Sequence, residues 1–139
     1  MRYLLLSALV ACGPKHVAVT WVTTGTSTSE RIEIESNGQG NYTRALDGVV
    51  EKDERLQFTK DQLDEIVEVF RSQRACELAD DPAYTPVAGE GRITLELALP
   101  DLHCKVSLWN LEWERGRAKA ITETMHSMRP VRPPRSQQR

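Results

Sequence analysis

The amino-acid sequence predicts an α+β fold: one antiparallel sheet of about five strands, in hairpin-helix-hairpin-helix order, with two helices on one face. Three observations carry that prediction. Arg31–Ser36 and Arg92–Leu99 both alternate apolar and polar side chains, as half-buried strands do. Each is followed by a turn signal, Asn37-Gly38-Gln39-Gly40 or Pro100-Asp101, and then by a second extended segment. After each pair comes a stretch with apolar residues at helical spacing.

Taken in order, Val17–Thr24 (VAVTWVTT) is rich in β-branched residues and alternates, which reads as a first strand. Gly25–Ser29 is a polar loop. Arg31–Ser36 puts Ile32 and Ile34 inward and Arg31, Glu33 and Glu35 outward. Asn41–Leu46 returns beside it, with Tyr42 on one face, and Asp47-Gly48 turns the chain again. Val49–Glu54 reads as an irregular connection or edge segment, and Leu56 and Phe58 as an extended lead-in to a helix.

Thr59-Lys60-Asp61-Gln62 matches a capping box, in which hydroxyl and amide side chains satisfy each other's backbone N–H groups. Leu63, Ile66, Val67 and Phe70 then form the stripe of an amphipathic helix ending near Arg74. Its acids lie early and its bases late, which suits the helix dipole. Residues 79–91, with two prolines and two glycines, form a long loop. The second hairpin places Ile93, Leu95, Leu97 and Leu99 on one face, and Cys104, Val106 and Leu108 opposite them on His103–Trp109. A last helix runs from about Glu114 to Met128 with Ala118, Ile121, Met125 and Met128 inward, and Pro130 stops it. Residues 129–139 lack apolar periodicity and read as a disordered Arg/Pro-rich tail.

Ahead of the fold lies a different kind of segment. Met1 and Arg2 precede a short apolar run, Tyr3 to Ala11, ending Leu9-Val10-Ala11 before Cys12 and Gly13. The run is too short to span a bilayer, which needs about 20 apolar residues. A basic residue, an apolar run and small residues before a cleavage point form the pattern of a secretory signal. Leu9-Val10-Ala11-Cys12 resembles the lipobox of bacterial lipoproteins. The resemblance implies that residues 1–11 are removed as a signal peptide. It also implies that Cys12 carries lipid and anchors the chain to a membrane, with residues 12–16 as a lipidated tether and 17–128 as a single domain. Gly13 rather than Asp after the cysteine implies, by the same resemblance, the outer membrane facing the periplasm. The body is similar to small uncharacterised lipoproteins of Gram-negative bacteria, through the strand before the Asn/Gly turn, the helix ending near Cys76 and the hairpin bearing Cys104. That similarity implies no particular activity.

With Cys12 assigned to lipid, Cys76 and Cys104 are left as a pair in an oxidising compartment, where a disulfide forms and persists. It would contribute about 3–4 kcal/mol in the chain-entropy description.

Charge narrows the partners. Residues 12–128 hold 13 basic and 20 acidic residues, a net −7 with histidine neutral. Such a body is poorly matched to nucleic acid, whose phosphates require a basic face. The arginines of the tail are suited to an anionic surface. His16, His103 and His126 show no metal-ligand spacing, and no nucleophile-elbow or phosphate-loop motif occurs. Asp80, Asp81 and Glu90 are the loop acids a weakly held cation would use, but without EF-hand spacing. No cofactor is expected.

Three aromatics mark a possible interaction surface: Tyr84 between Pro82 and Pro86, Trp109 on the polar face of the second hairpin, and Trp113. For Trp109 and Trp113 the competing expectation is cover by the final helix. The function expected is therefore a lipid-anchored envelope lipoprotein, a non-catalytic module that binds or scaffolds an envelope protein or cell-wall component. An alternative is a periplasmic inhibitor of an envelope enzyme, acting through the 79–91 loop. A third is a small hydrolase with an unrecognised site.

Overall fold

The computed structural model describes residues 16–130. Residues 1–15, which include the expected signal peptide and Cys12, and 131–139 of the expected tail lie outside the described residues. The six strands are β1 (Val17–Thr24), β2 (Thr28–Glu35), β3 (Gln39–Leu46), β4 (Val49–Gln57), β5 (Arg92–Ala98) and β6 (His103–Trp109). The two helices are α1 (Lys60–Ser72) and α2 (Gly116–Ser127). One antiparallel sheet runs in the order β4-β3-β2-β1-β5-β6.

The strand expected least clearly is β4. Val49–Gln57 pairs along the whole of β3, with a bulge between Arg44 and Ala45, so the sheet has six strands rather than about five. The reason it reads poorly is physical. An edge strand has one neighbour and little to bury, and charges at Glu51, Lys52, Asp53, Glu54 and Arg55 discourage further strands from adding. The polar loop after β1 is also shorter than expected, because β2 begins at Thr28.

Alternation decides the faces. Val19, Trp21, Ile32, Ile34, Tyr42, Ile93, Leu95, Leu97, Val106 and Leu108 point to the helical side and are buried. The opposite face carries Thr20, Val22, Arg31, Glu33, Thr94, Glu96 and Lys105, a mixed polar surface rather than an apolar patch. The helices add Ile66, Phe70, Ala118, Ile121 and Met125 to the core. Trp113 completes it against Trp21, edge to face with ring centroids 4.9 Å apart, a favourable arrangement for two aromatic quadrupoles.

The sheet has two distinct ends. At the entry end, where residue 16 leads into β1, lie the β2–β3 turn, the start of α1 and the β5–β6 turn. His16 is bonded to the Ala98 carbonyl (2.9 Å) and accepts from the Ser36 amide (3.0 Å). At the far end lie the β1–β2 turn, the β3–β4 turn, the start of β5 and the end of β6. Eight residues of β1 separate them by about 26 Å at ~3.3 Å per residue.

Helix α1 lies over the entry end. Its capping box forms as expected: Thr59 Oγ1 accepts from the Gln62 amide (3.2 Å), and Gln62 Oε1 from the Thr59 amide (2.9 Å). Near its last turn Arg71 holds Asp101 of the β5–β6 turn through two bonds of 2.6 and 3.0 Å. A 3-10 turn at Ala75–Glu77 then brings Cys76 to β6, where its Cα lies 5.7 Å from that of Cys104, within disulfide-bonding distance. Helix α2 starts later than the expected Glu114. Glu112–Glu114 forms a separate 3-10 turn, and Gly116 takes φ 53°, a left-handed conformation that glycine adopts without strain. Among the described residues, no helix is long and apolar enough to cross a membrane.

Candidate functional site

Every exposed large hydrophobic residue among those described sits at the far end. Leu46, Val49 and Val50 are 37%, 67% and 58% exposed, and Val87 is 58% exposed. The first three surround the β3–β4 turn, where Asp47 (φ 50°) and Gly48 (φ 79°) take the conformation that a two-residue hairpin turn with matching twist requires. The tip is fixed to its neighbour by the Asp47 amide, which donates to the Ser27 carbonyl at 2.7 Å.

Val87 belongs to the 79–91 loop, and two carboxylates hold that loop in place. Glu90 accepts from the Tyr84 hydroxyl (2.7 and 2.8 Å), the Val87 amide (3.1 Å) and the Leu111 amide (2.8 Å). Burial alone would raise its pKa, but the Leu111 amide, the Tyr84 hydroxyl and the Val87 amide outweigh that and hold it below the usual carboxylate value. The buried Glu112 accepts from the Asp81 amide and the Trp109 amide, both at 2.9 Å. One side chain thus ties the loop, the end of β6 and the start of the helical layer together. Gly91 closes the arrangement: a Cβ there would collide with the Thr24 carbonyl, so the loop can meet β1 this closely only with glycine.

The loop acids expected to suit a weakly held cation are engaged within the protein. Asp80 meets the Arg92 guanidinium at 3.0 and 3.1 Å, and Asp81 Oδ1 accepts from the Ala83 amide. Among the described residues no group of three or more His, Cys, Asp and Glu side chains is placed to hold a metal ion.

The three aromatics of the expected surface have different fates. Trp113 is 0% exposed, and its Nε1 donates to the Ile93 carbonyl at 3.0 Å. It belongs to the core and not to the expected interaction surface, because it packs edge to face against Trp21. Trp109 is half-buried on the outer sheet face, under the Arg92 guanidinium 4.7 Å from its ring centroid. Arg92 is itself fixed by Ser107 and Asp80. Tyr84 is half-buried, with the Arg115 guanidinium 5.4 Å from its ring centroid. Burial, then its bond to Glu90, push its hydroxyl up to about 12. Tyr84 therefore acts as a strut within the loop, while the neighbouring Val87 is the exposed apolar side chain.

The sequence signal missed at this site is Glu112, while Glu90, expected as a loop acid for a cation, instead ties the loop to Leu111. Glu112 stands between Leu111 and Trp113, and an acid in an apolar stretch must find donors if it is buried. That points to a structural role but does not say which amides it serves.

No protein-family model matches the chain, and no curated protein matches it.

Proposed function

We propose that this chain is a lipid-anchored envelope module that binds a partner protein through its far end and performs no catalysis. The observation that carries the reading is the segregation of exposed apolar residues. Leu46, Val49, Val50 and Val87 all lie at the end opposite His16. Four residue steps separate His16 from Cys12, and four extended residues reach at most about 14 Å. A lipid on Cys12 would therefore hold the entry end close to the membrane and leave the far end free to meet a partner. Exposed apolar side chains on a well-ordered rim favour protein contact. The far-end carboxylates support binding over catalysis, since Glu90, Glu112 and Asp80 are committed to amides, a hydroxyl and Arg92. Localisation to the outer membrane, facing the periplasm, is part of the same proposal.

The loop offers a second reading. Its pinned backbone and exposed Val87 suit a preorganised segment that inhibits an envelope enzyme, since preorganisation lowers the entropy cost of binding.

Two experiments test the proposal. Cys12→Ser should abolish fatty-acid labelling and release the protein from membranes; persistent label would overturn the anchor. Affinity purification of the full chain from solubilised envelopes should recover a partner that Val49→Asp with Val50→Asp loses. Recovery undiminished in that double variant, with the partner lost instead on Val87→Asp, would transfer the binding role to the loop.

A further inference from the structure

A groove of about 370 Å³ runs between α1 and α2. Phe58, Ile66, Val69 and Met128 give it an apolar lining. Its polar side chains are nearly all satisfied by their own helix or its cap. Gln62 belongs to the α1 capping box, Thr124 Oγ1 donates to the Ala120 carbonyl (2.9 Å), and Ser127 Oγ donates to the Thr124 carbonyl (2.6 Å). The exception is Glu65, which is exposed on the α1 wall. An occupant therefore needs apolar groups for the lining and a cation for Glu65.

Glu65 does not stand alone. Asp61, Asp64, Glu65 and Glu68 are all exposed on α1, and among the described residues none of them forms an ion pair. Arg71, the base in the last turn of α1, is held by Asp101. Asp61, Glu65 and Glu68 fall on one stripe along the outer flank of the groove, about 10 Å long at ~1.5 Å per residue. The chain itself carries the complement. Met128 lines the groove, and residues 131–139 begin three positions later with Arg132, Arg135 and Arg139 and no acid. The acids that border Pro130, Glu30 and Glu51, are already paired with Arg129 and Arg44.

We propose that the groove is the docking surface for the chain's own residues 131–135, with Val131, Pro133 and Pro134 against its apolar lining and Arg132 and Arg135 against the acid stripe of α1. The spacing fits. A run with two adjacent prolines favours the polyproline conformation, with three residues per turn and a rise of about 3.1 Å. Arg132 and Arg135 then share one side about 9 Å apart, close to the ~10 Å from Asp61 to Glu68. Apolar grooves with an aromatic side chain, here Phe58, receive segments of this kind. Reach is sufficient, since five extended residues cover at most about 18 Å. The tether keeps the segment at high effective concentration, so contacts that are weak one by one suffice. The docked segment is a built-in occupant that any other ligand of the groove must displace. This inference does not rest on the far-end reading.

The test places a photo-crosslinking amino acid at Ser136 or Gln137 of the full chain, mixes isotopically heavy and light protein, and maps the crosslinks by mass spectrometry. Crosslinks should concentrate on residues 58–69 and join positions within one molecule. Glu65→Lys with Glu68→Lys, both at exposed positions, should cut their yield at least fivefold. Arg132→Glu with Arg135→Glu should do the same. All four substitutions together should restore the yield, which a merely disturbed fold would not do. Crosslinks scattered over the surface, a yield indifferent to charge reversal, or no rescue in the fourfold variant would overturn the proposal. Crosslinks that join heavy to light chains would overturn it too, and would assign the groove to the tail of a second copy.

Discussion

The two ends of the sheet are built differently. At the entry end the chain is closed by directional pairs: the Thr59–Gln62 capping box, the two-bond Arg71–Asp101 contact, the His16 contacts and the Cys76–Cys104 approach. Among the described residues, none that is large and apolar is left exposed there. At the far end the backbone is pinned from within by Glu90 and Glu112, while Leu46, Val49, Val50 and Val87 face outward. The difference teaches that rigidity and exposure are compatible here. Interior carboxylates hold the far-end loop in shape, so its surface residues are free for other uses.

The largest expected effect would erase the contrast altogether. Trp113→Ala removes a fully buried indole and its bond to Ile93, and should cost about 3–5 kcal/mol in urea unfolding. A loss under 1 kcal/mol would mean Trp113 does not join the two layers. Next comes Cys76→Ala with Cys104→Ala, which should cost about 3–4 kcal/mol for a 28-residue separation. Mass spectrometry of the unreduced protein should find these cysteines linked. Two free thiols there would remove this difference between the ends.

Smaller changes should separate the ends. Glu112→Ala leaves the Asp81 and Trp109 amides without their acceptor and should cost about 1–3 kcal/mol. Hydrogen exchange should rise first in 79–91 and at Trp109, with the α1 amides still protected. Equal loss of protection at both ends would show that the loop is not a separate unit.

Titration divides the two ends on the alkaline side. The hydroxyl of Tyr84 is raised above its ordinary value of 10.0 to about 12, so the bond to Glu90 stabilises the fold fully below pH 10 and is lost as pH rises toward 12. Asp101 is held low, first by its bond to Arg71, so its contribution is present above the unfolded carboxylate range and is lost as pH falls through its folded value. Alkali should therefore loosen the far-end loop alone, whereas acid should loosen the α1–turn contact and, through Glu90, which is also held low, the far-end loop as well. Ultraviolet titration of wild type against Tyr84→Phe should isolate one late tyrosine; tyrosines that all ionise near 10 would refute the strut.

Much of this was legible in the sequence, and what escaped did so for specific reasons. Strands β1, β2, β5 and β6 announce themselves because each buries one face, and α1 because its cap and apolar stripe agree. Strand β4 escaped because an edge strand with alternating charges has almost nothing to bury. The cysteine pairing was readable from counting, since β6 parity put Cys104 on the apolar side. The candidate site was readable only in part. Tyr84 and Trp109 do lie at one end of the molecule, but which aromatic is core and which is rim depends on long-range contacts. Trp113 meets Trp21, 92 positions earlier, and no local pattern reports that.

The smallest expected effect on folding bears most directly on function. A photo-crosslinking amino acid placed singly at Val49, Val50 or Val87 should leave stability within about 0.5 kcal/mol, since these side chains are exposed. Irradiating cells that carry these variants, alongside variants at the exposed Lys60 and Asp101 of the entry end, compares the two ends in place. Discrete protein adducts from the far-end positions, with none from Lys60 or Asp101, are the predicted result. Adducts confined to Lys60 and Asp101, with a silent far end, would contradict the account.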